Sequence, residues 1–139
     1  MNASQRVLII TPERVVYDGD ARFVVVPGTE GDLGILPHHA PLITLLKTGL
    51  VRIAHEAAES RFVITGGLLE IHENRVILLT GAAEHPEDID LERAEAARER
   101  AERRLAARGP DVDFERARAA LMRAVARLKT GPRSDVRRP

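Results

Sequence analysis

The stretch Glu84-His85-Pro86-Glu87-Asp88-Ile89-Asp90-Leu91-Glu92-Arg93-Ala94 marks the point at which the chain changes its physical character. Before it, short runs of Val, Ile and Leu alternate with turn residues, and eight of the ten glycines lie there. After it come two stretches rich in Arg, Ala and Glu, which Gly109-Pro110 separates. Because glycines punctuate turns and their scarcity favours long helices, the sequence predicts a β domain over residues 1–85 and a helical domain over residues 86–139.

Nine short segments of the β domain have the Val-, Ile- and Leu-rich composition of half-buried strands. Turn residues separate them, among them Lys47-Thr48-Gly49 and Gly66-Gly67. No helical pattern lies between the segments, which favours an antiparallel sandwich or flattened barrel over a doubly wound sheet. The predicted strands are 6–11, 14–18, 21–26, 33–36, 42–47, 50–55, 61–64, 68–71 and 75–79.

The helical domain is predicted to be a hairpin. Asp90 or Asp88 is placed to cap a first helix that ends near Arg108, and Asp113 to cap a second that ends near Thr130. The tail, residues 133–139, is predicted to be disordered. Apolar stripes at helical spacing are expected to form the seam: Leu91, Ala94, Ala101 and Leu105 on the first helix, and Phe114, Leu121, Val125 and Leu128 on the second. Because an alanine buries little apolar area, we expect a closed hairpin of marginal stability.

Composition narrows the possible functions. The 139 residues suffice for one domain with an appendage, and the absence of cysteine excludes disulfides and thiolate chemistry. No run approaches the roughly 20 apolar residues of a membrane span, so a soluble chain is expected. The net charge is zero, but residues 1–85 carry 7 Lys and Arg against 10 Asp and Glu, and the remainder carries 14 against 11. The basic excess therefore lies on the helices, where an acidic partner or a phosphate can use it.

Several classes of function lack support in the sequence. There is no cysteine nucleophile, P-loop or Gly-x-Ser-x-Gly elbow, so no catalytic residue is predicted. Zero net charge and only four Phe and Tyr residues count against a nucleic-acid module built on the basic hairpin. His38 and His39 are adjacent, and neighbours on an extended chain face opposite sides, so no metal site is predicted.

Three motifs resemble a known family. They are Glu30-Gly31-Asp32-Leu33-Gly34-Ile35-Leu36-Pro37-His38-His39-Ala40-Pro41-Leu42, followed by Lys47-Thr48-Gly49; Gly66-Gly67-Leu68-Leu69-Glu70-Ile71; and Ile89-Asp90-Leu91-Glu92-Arg93-Ala94. Together they resemble the epsilon subunit of the bacterial rotary F-type ATP synthase, in the family's order and over most of the chain. One departure is His38, which stands where glycine is more usual in the family.

The resemblance implies an α+β fold, with an N-terminal antiparallel β-sandwich of about ten strands followed by a two-helix antiparallel hairpin. It further implies a non-catalytic rotor subunit that joins the gamma subunit to the c-subunit ring, with no obligatory cofactor. In an extended state the helices reach the alpha and beta subunits and inhibit ATP hydrolysis. The implied location is the cytoplasmic side of the cell membrane, as a peripheral component of the proton-translocating complex. A stalk subunit with a passive hairpin is the alternative.

In family members that bind ATP, both helices and the segment before them form the site. The positions that match here are Glu84, Ile89, Asp90, Arg93, Ala94, Arg100, Arg123 and Arg127. Arg93 and Arg100 are seven residues apart on one helix face, and Arg123 and Arg127 are four apart. ATP is thus implied as a regulatory ligand that favours the folded hairpin. The alternative is a solvated face whose arginines pair with Glu92, Glu95, Glu99 and Glu102.

Two further surfaces are implied to meet partners. Glu30, His38 and His39 are the candidates for contact with the c ring, although a Gly- and Pro-rich turn that merely shapes the sandwich is the alternative. The second surface lies on the second helix, where Arg116, Arg118, Arg123 and Arg127 are placed to meet an acidic segment of a catalytic subunit. Because the same arginines cannot bind ATP and that segment at once, the two states are expected to exclude each other.

Overall fold

A computed structural model of the chain describes residues 3–107, 109 and 113–130. The chain divides into two compact units between Glu84 and His85. The first unit contains the strands β1 (Gln5–Ile10), β2 (Val15–Ala21), β3 (Phe23–Gly28), β4 (Gly31–Ile35), β5 (Leu42–Ala54), β6 (Glu59–His72), β7 (Arg75–Leu79) and β8 (Ala83–Glu84). The second contains a 3-10 turn (Pro86–Asp88) and the helices α1 (Leu91–Ala107) and α2 (Phe114–Thr130).

Two long strands, β5 and β6, organise the sandwich. They pair along their full length, from Leu42 opposite Ile71 to Ala54 opposite Glu59. In the sheet order β2-β1-β7-β6-β5-β3-β4, β7 pairs with the C-terminal half of β6, whereas β8 pairs with its N-terminal half. Alternate side chains from both halves enclose one core: Val7, Ile9, Ala21, Val24, Val26, Ile35, Leu46, Val51, Ile53, Phe62, Ile64, Leu69, Ile71, Val76 and Leu78. This arrangement confirms the α+β class with an N-terminal sandwich and two C-terminal helices.

The strand predictions need three corrections. Predicted strands 42–47 and 50–55 are one strand, and so are 61–64 and 68–71, since the pairing of β5 with β6 continues on both sides of the glycines between them. Gly66 and Gly67 have φ values of 77° and 142°, which glycine adopts readily. β8 was not predicted, because two residues carry no periodicity. Finally, β1 runs parallel to β7, an exception to the antiparallel expectation.

The helix caps are confirmed. The backbone N–H of Arg93 donates to Asp90 Oδ1 (3.1 Å), so Asp90 and not Asp88 caps α1. The N–H of Arg116 donates to Asp113 Oδ1 (3.0 Å) at the start of α2. The predicted disordered tail, residues 133–139, lies outside the described residues.

The two helices pack against each other through small side chains. Their buried residues are Ala94 and Ala101 on α1 and Ala117 and Ala124 on α2, which we call the alanine seam. The α1 prediction is confirmed at its alanines. On α2, however, Leu121, Val125 and Leu128 are only half-buried, and Phe114 is 41% exposed, so its predicted place in the seam is wrong. Facing alanines allow close approach of the backbones, which leaves longer side chains at the margins of the seam.

Candidate functional site

The outer side of the sandwich carries an exposed apolar surface. Along β5, Ile43 and Leu45 are 69% and 62% exposed, and Leu79 on β7 is 41% exposed. The register aligns Leu45, Leu68, Leu79 and Ile10 in one row across four adjacent strands. The next row aligns Ile43, Glu70, Ile77 and Leu8. We call these two rows the apolar face; only Glu70 among their eight residues is charged.

Sequence reasoning missed the apolar face, although a signal was present. A strand with one face in water alternates apolar and polar residues. The runs Val7-Leu8-Ile9-Ile10 and Val76-Ile77-Leu78-Leu79 do not alternate. Their inward residues are fully buried, and their outward residues remain partly exposed in this chain. Unbroken apolar runs in a sandwich therefore indicated a second apolar surface.

The structure places the predicted ring-contact residues at two ends of one strand. Glu30 lies in the turn between β3 and β4, where Gly28 pairs with Gly31. His38 and His39 follow the other end of β4, so that this five-residue strand, about 13 Å from first to last Cα, separates them from Glu30. All three residues are exposed. They are consequently two small surfaces and not one patch.

Seven of the eight predicted nucleotide residues lie in the helical unit, and they differ in burial. Ile89 is only 5% exposed and Ala94 4%, so both are packing residues in this conformation. Arg93, Arg100 and Arg123 flank the seam, because each directly precedes one of its alanines in sequence. Arg93 and Arg100 are exposed, whereas Arg123 and Arg127 are half-buried.

The two predicted acidic residues have other places in the structure. Asp90 is the α1 cap, and one of its carboxylate oxygens is used by that hydrogen bond. Glu84 belongs to the sandwich unit, on β8.

The arginines of α1 differ in whether they form ion pairs with glutamates of the same helix. Arg98 binds Glu102 (2.5 Å) and also Glu95, one turn to either side. The hydrogen bond between Arg98 and Glu95 lowers the pKa of Glu95, and the same hydrogen bond is the main reason why the pKa of Arg98 is raised. Arg98 is not among the predicted nucleotide residues. In the described part of the chain, no carboxylate forms a salt bridge with Arg93, Arg100 or Arg123. The glutamate pairing of the predicted alternative is thus seen for Arg98 and not for these three.

Within residues 3–107, 109 and 113–130, no three His, Asp or Glu side chains are grouped as metal ligands. Neither of the helices found there is long and apolar enough to cross a membrane.

Comparison with known families gives the class of the protein. Residues 4–86 match the family described as the ATP synthase delta/epsilon chain, β-sandwich domain. Residues 87–131 match the long alpha-helix domain of the same chain. The fold thus defines a delta- or epsilon-type chain of an ATP synthase.

Individual relatives narrow this class. The ATP synthase epsilon chain of Desulforudis audaxviator is 58% identical over 108 residues, which cover 78% of this chain and 79% of the relative. That of Moorella thermoacetica is 55% identical over 128 residues, 91% and 96% of the two chains. The chain therefore belongs to the bacterial epsilon-chain family of the F-type ATP synthase.

The fold also recurs in a solved structure. A chain in the Euglena gracilis mitochondrial ATP synthase, in a structure of OSCP, F1 and the c-ring, superposes with a TM-score of 0.81. The match covers 89% of this chain and 79% of the other at 20% identity, so it supports the fold alone.

Proposed function

We propose that the chain is a non-catalytic rotor subunit of the central stalk, which couples the catalytic head of a proton-translocating ATP synthase to the membrane c ring. The observation that carries this proposal is the apolar face. Leu45 and Ile43 project from a sheet whose core is already filled by other side chains. Contiguous exposed apolar surface on a folded domain marks a protein interface, and the partner proposed for it is the gamma subunit.

The ring contact is proposed for the exposed loops at Glu30 and at His38-His39. Both are polar, as contact with the polar loops of a membrane ring requires. The subunit would then be peripheral to the membrane, on its cytoplasmic side, and held there through the complex. Catalysis would belong to the beta subunits.

The helical unit is proposed to act as a brake on ATP hydrolysis. Four alanines form its buried seam, and burying an alanine removes far less apolar area from water than burying a leucine. The ion pairs of Arg98 lie within α1 and survive any separation of the two helices. Separated helices could thus remain helical and extend toward the alpha and beta subunits, where the arginines of α2 meet acidic surface.

ATP is proposed as the ligand that holds the brake in its folded state. Arg93 and Arg100 on α1 and Arg123 on α2 flank the same seam, and guanidinium groups bind phosphates by paired hydrogen bonds. A ligand that bridges the two helices binds the closed hairpin more tightly than the open one and shifts the population toward it. Inhibition should therefore weaken as ATP rises.

The test is ATP hydrolysis by the cognate head lacking this chain, with the purified chain added back at several ATP concentrations. Inhibition that fades with rising ATP supports the full proposal, whereas inhibition indifferent to ATP removes the nucleotide site. Stable binding to gamma without inhibition supports a passive hairpin, and absence of binding contradicts the stalk role. Arg93→Ala should abolish the ATP effect. Arg103→Ala, which changes another exposed arginine of α1 outside the predicted set, should preserve it.

A further inference from the structure

The turn between β6 and β7 has an unusual composition. His72 pairs with Arg75, so Glu73 and Asn74 form a two-residue hairpin turn, and both have positive φ values, 49° and 61°. Such turns favour Asn and Gly because other side chains are disfavoured in this region. The conformation explains an asparagine at position 74, but it does not require the contacts that its side chain makes.

Asn74 joins three segments of the chain. Its backbone carbonyl accepts a hydrogen bond from the N–H of Arg6 (3.1 Å), and its Nδ2 donates to the carbonyl of Ser4 (2.8 Å). Its Oδ1 accepts from the N–H of His38 (2.8 Å). The side chain therefore bridges the start of β1 and the loop that follows β4, which lie 70 and 36 residues away in sequence.

His38 has a particular need for this contact. Its φ of 63° is readily adopted by glycine and disfavoured for other residues. The family that the motifs resemble more usually has glycine at this position, and glycine adopts a positive φ without steric strain. Histidine adopts positive φ more often than most residues but less readily than glycine, so a hydrogen bond from outside the loop helps to hold His38 in this conformation.

We propose that Asn74 is the positioning residue of the ring-contact loop: it holds His38 and His39 in the conformation that they present to the c ring. This inference rests on the ring contact given under the proposed function. Asn74 acts through the loop and is not itself a contact residue. The orientation of His39 is aided locally by the hydrogen bond between its Nδ1 and the carbonyl of Ala40 (2.7 Å).

The first test is local. Asn74→Gly keeps the positive φ of the turn and removes both side-chain hydrogen bonds. Glu73→Gly is the matched control in the same turn, because Asn74 keeps its contacts. In the full chain, exchange of the residue-38 amide with solvent should accelerate about fivefold to tenfold in Asn74→Gly, as expected for loss of one hydrogen bond, and stay unchanged in Glu73→Gly. Equal exchange in wild type and Asn74→Gly would overturn the inference, and so would equal acceleration in both variants.

The second test measures affinity of the reconstituted head and stalk for membranes that contain the c ring. Asn74→Gly should weaken binding about fivefold while the variant remains folded, which urea denaturation of the chain verifies. The same change should cost less in a His38→Gly background, because glycine has no steric penalty at positive φ for the hydrogen bond to offset. An equal loss in both backgrounds would overturn the positioning role. A different outcome would reject the ring contact on which the inference rests. In that outcome, exchange of the residue-38 amide accelerates in Asn74→Gly, but neither Asn74→Gly nor His39→Ala lowers the affinity for the membranes.

Discussion

At the scale of single residues, Gly67 has the least room for a side chain among the glycines that the structure describes. Its φ is 142°, and a Cβ added there would overlap the backbone carbonyl of Leu79 on the neighbouring strand. Neither group can move without breaking the pairing of β6 with β7. Gly67→Ala is therefore expected to lower the free energy of unfolding by about 3 kcal/mol or more, through backbone strain and steric overlap together. Urea denaturation of the whole chain measures this loss.

Gly31 provides the control for that experiment. Its φ of 132° is similar, but a Cβ there would meet no atom within 4 Å. Gly31→Ala should consequently show the backbone strain alone, about 1–2 kcal/mol. Equal losses in the two variants would contradict the assigned role of the Leu79 carbonyl.

A second residue-scale prediction concerns pH. On the sandwich surface, Arg52 Nε lies 2.5 Å from Glu59 Oε1, and this hydrogen bond lowers the pKa of Glu59 from its ordinary value of 4.5. A lowered folded-state pKa adds stability above the unfolded pKa, and that stability is lost as the pH falls through the folded value. Because the pair is exposed, Glu59→Gln should cost only about 0.2–1 kcal/mol at pH 7 and nothing near pH 2. Urea midpoints at both pH values test this; a cost that persists in acid would contradict it.

At the scale of elements, periodicity predicted the segments well and their continuity poorly. Asp90 and Asp113 cap helices as predicted, because a cap depends on residues within one turn. The join of 42–47 to 50–55 in β5 depends instead on β6, whose pairing continues past Gly49. Gly49 itself lies under Pro27 of β3, a contact that no local pattern reveals. Local sequence signals thus predict the helix caps, whereas pairing with strands distant in sequence determines where a strand ends.

The alanine seam leads to a prediction about the helical unit. Ala124 is fully buried between the helices, and a leucine there would force the backbones apart at a cost of about 1–3 kcal/mol. Ala119→Leu makes the same change at an exposed site of α2 and should leave the hairpin intact. Amide exchange over α1 and α2 in the full chain should rise in Ala124→Leu alone. If the hairpin inhibits ATP hydrolysis by opening, the Ala124→Leu chain should still inhibit at ATP concentrations at which the wild-type chain no longer does.

At the scale of the whole molecule, the two units differ in what stabilises them. Fifteen buried side chains, mostly Val, Ile, Leu and Phe, fill the core of the sandwich, whereas alanines form the helical seam. The sequence revealed this contrast, and its motifs identified the arginines beside the seam. It did not reveal the apolar face, because outward and inward residues in an unbroken apolar run look alike until the register is known. Surfaces for partners could thus be proposed from the sequence only on the loops and the helices.

The apolar face carries the last prediction, which concerns assembly. Leu45→Glu places a carboxylate at the β5 end of the row that continues with Leu68 and Leu79, where a docked partner would have to desolvate it. Because Leu45 is 62% exposed in the isolated chain, its replacement should leave the free energy of unfolding within about 0.5 kcal/mol of wild type. Affinity for gamma should nevertheless fall by a factor of about 30 or more, measured by calorimetry with purified gamma. Leu36→Glu makes the same change at a residue that is 61% exposed but lies outside the face, and it should bind gamma normally. If both variants bind gamma as wild type does, the stalk docks through another surface.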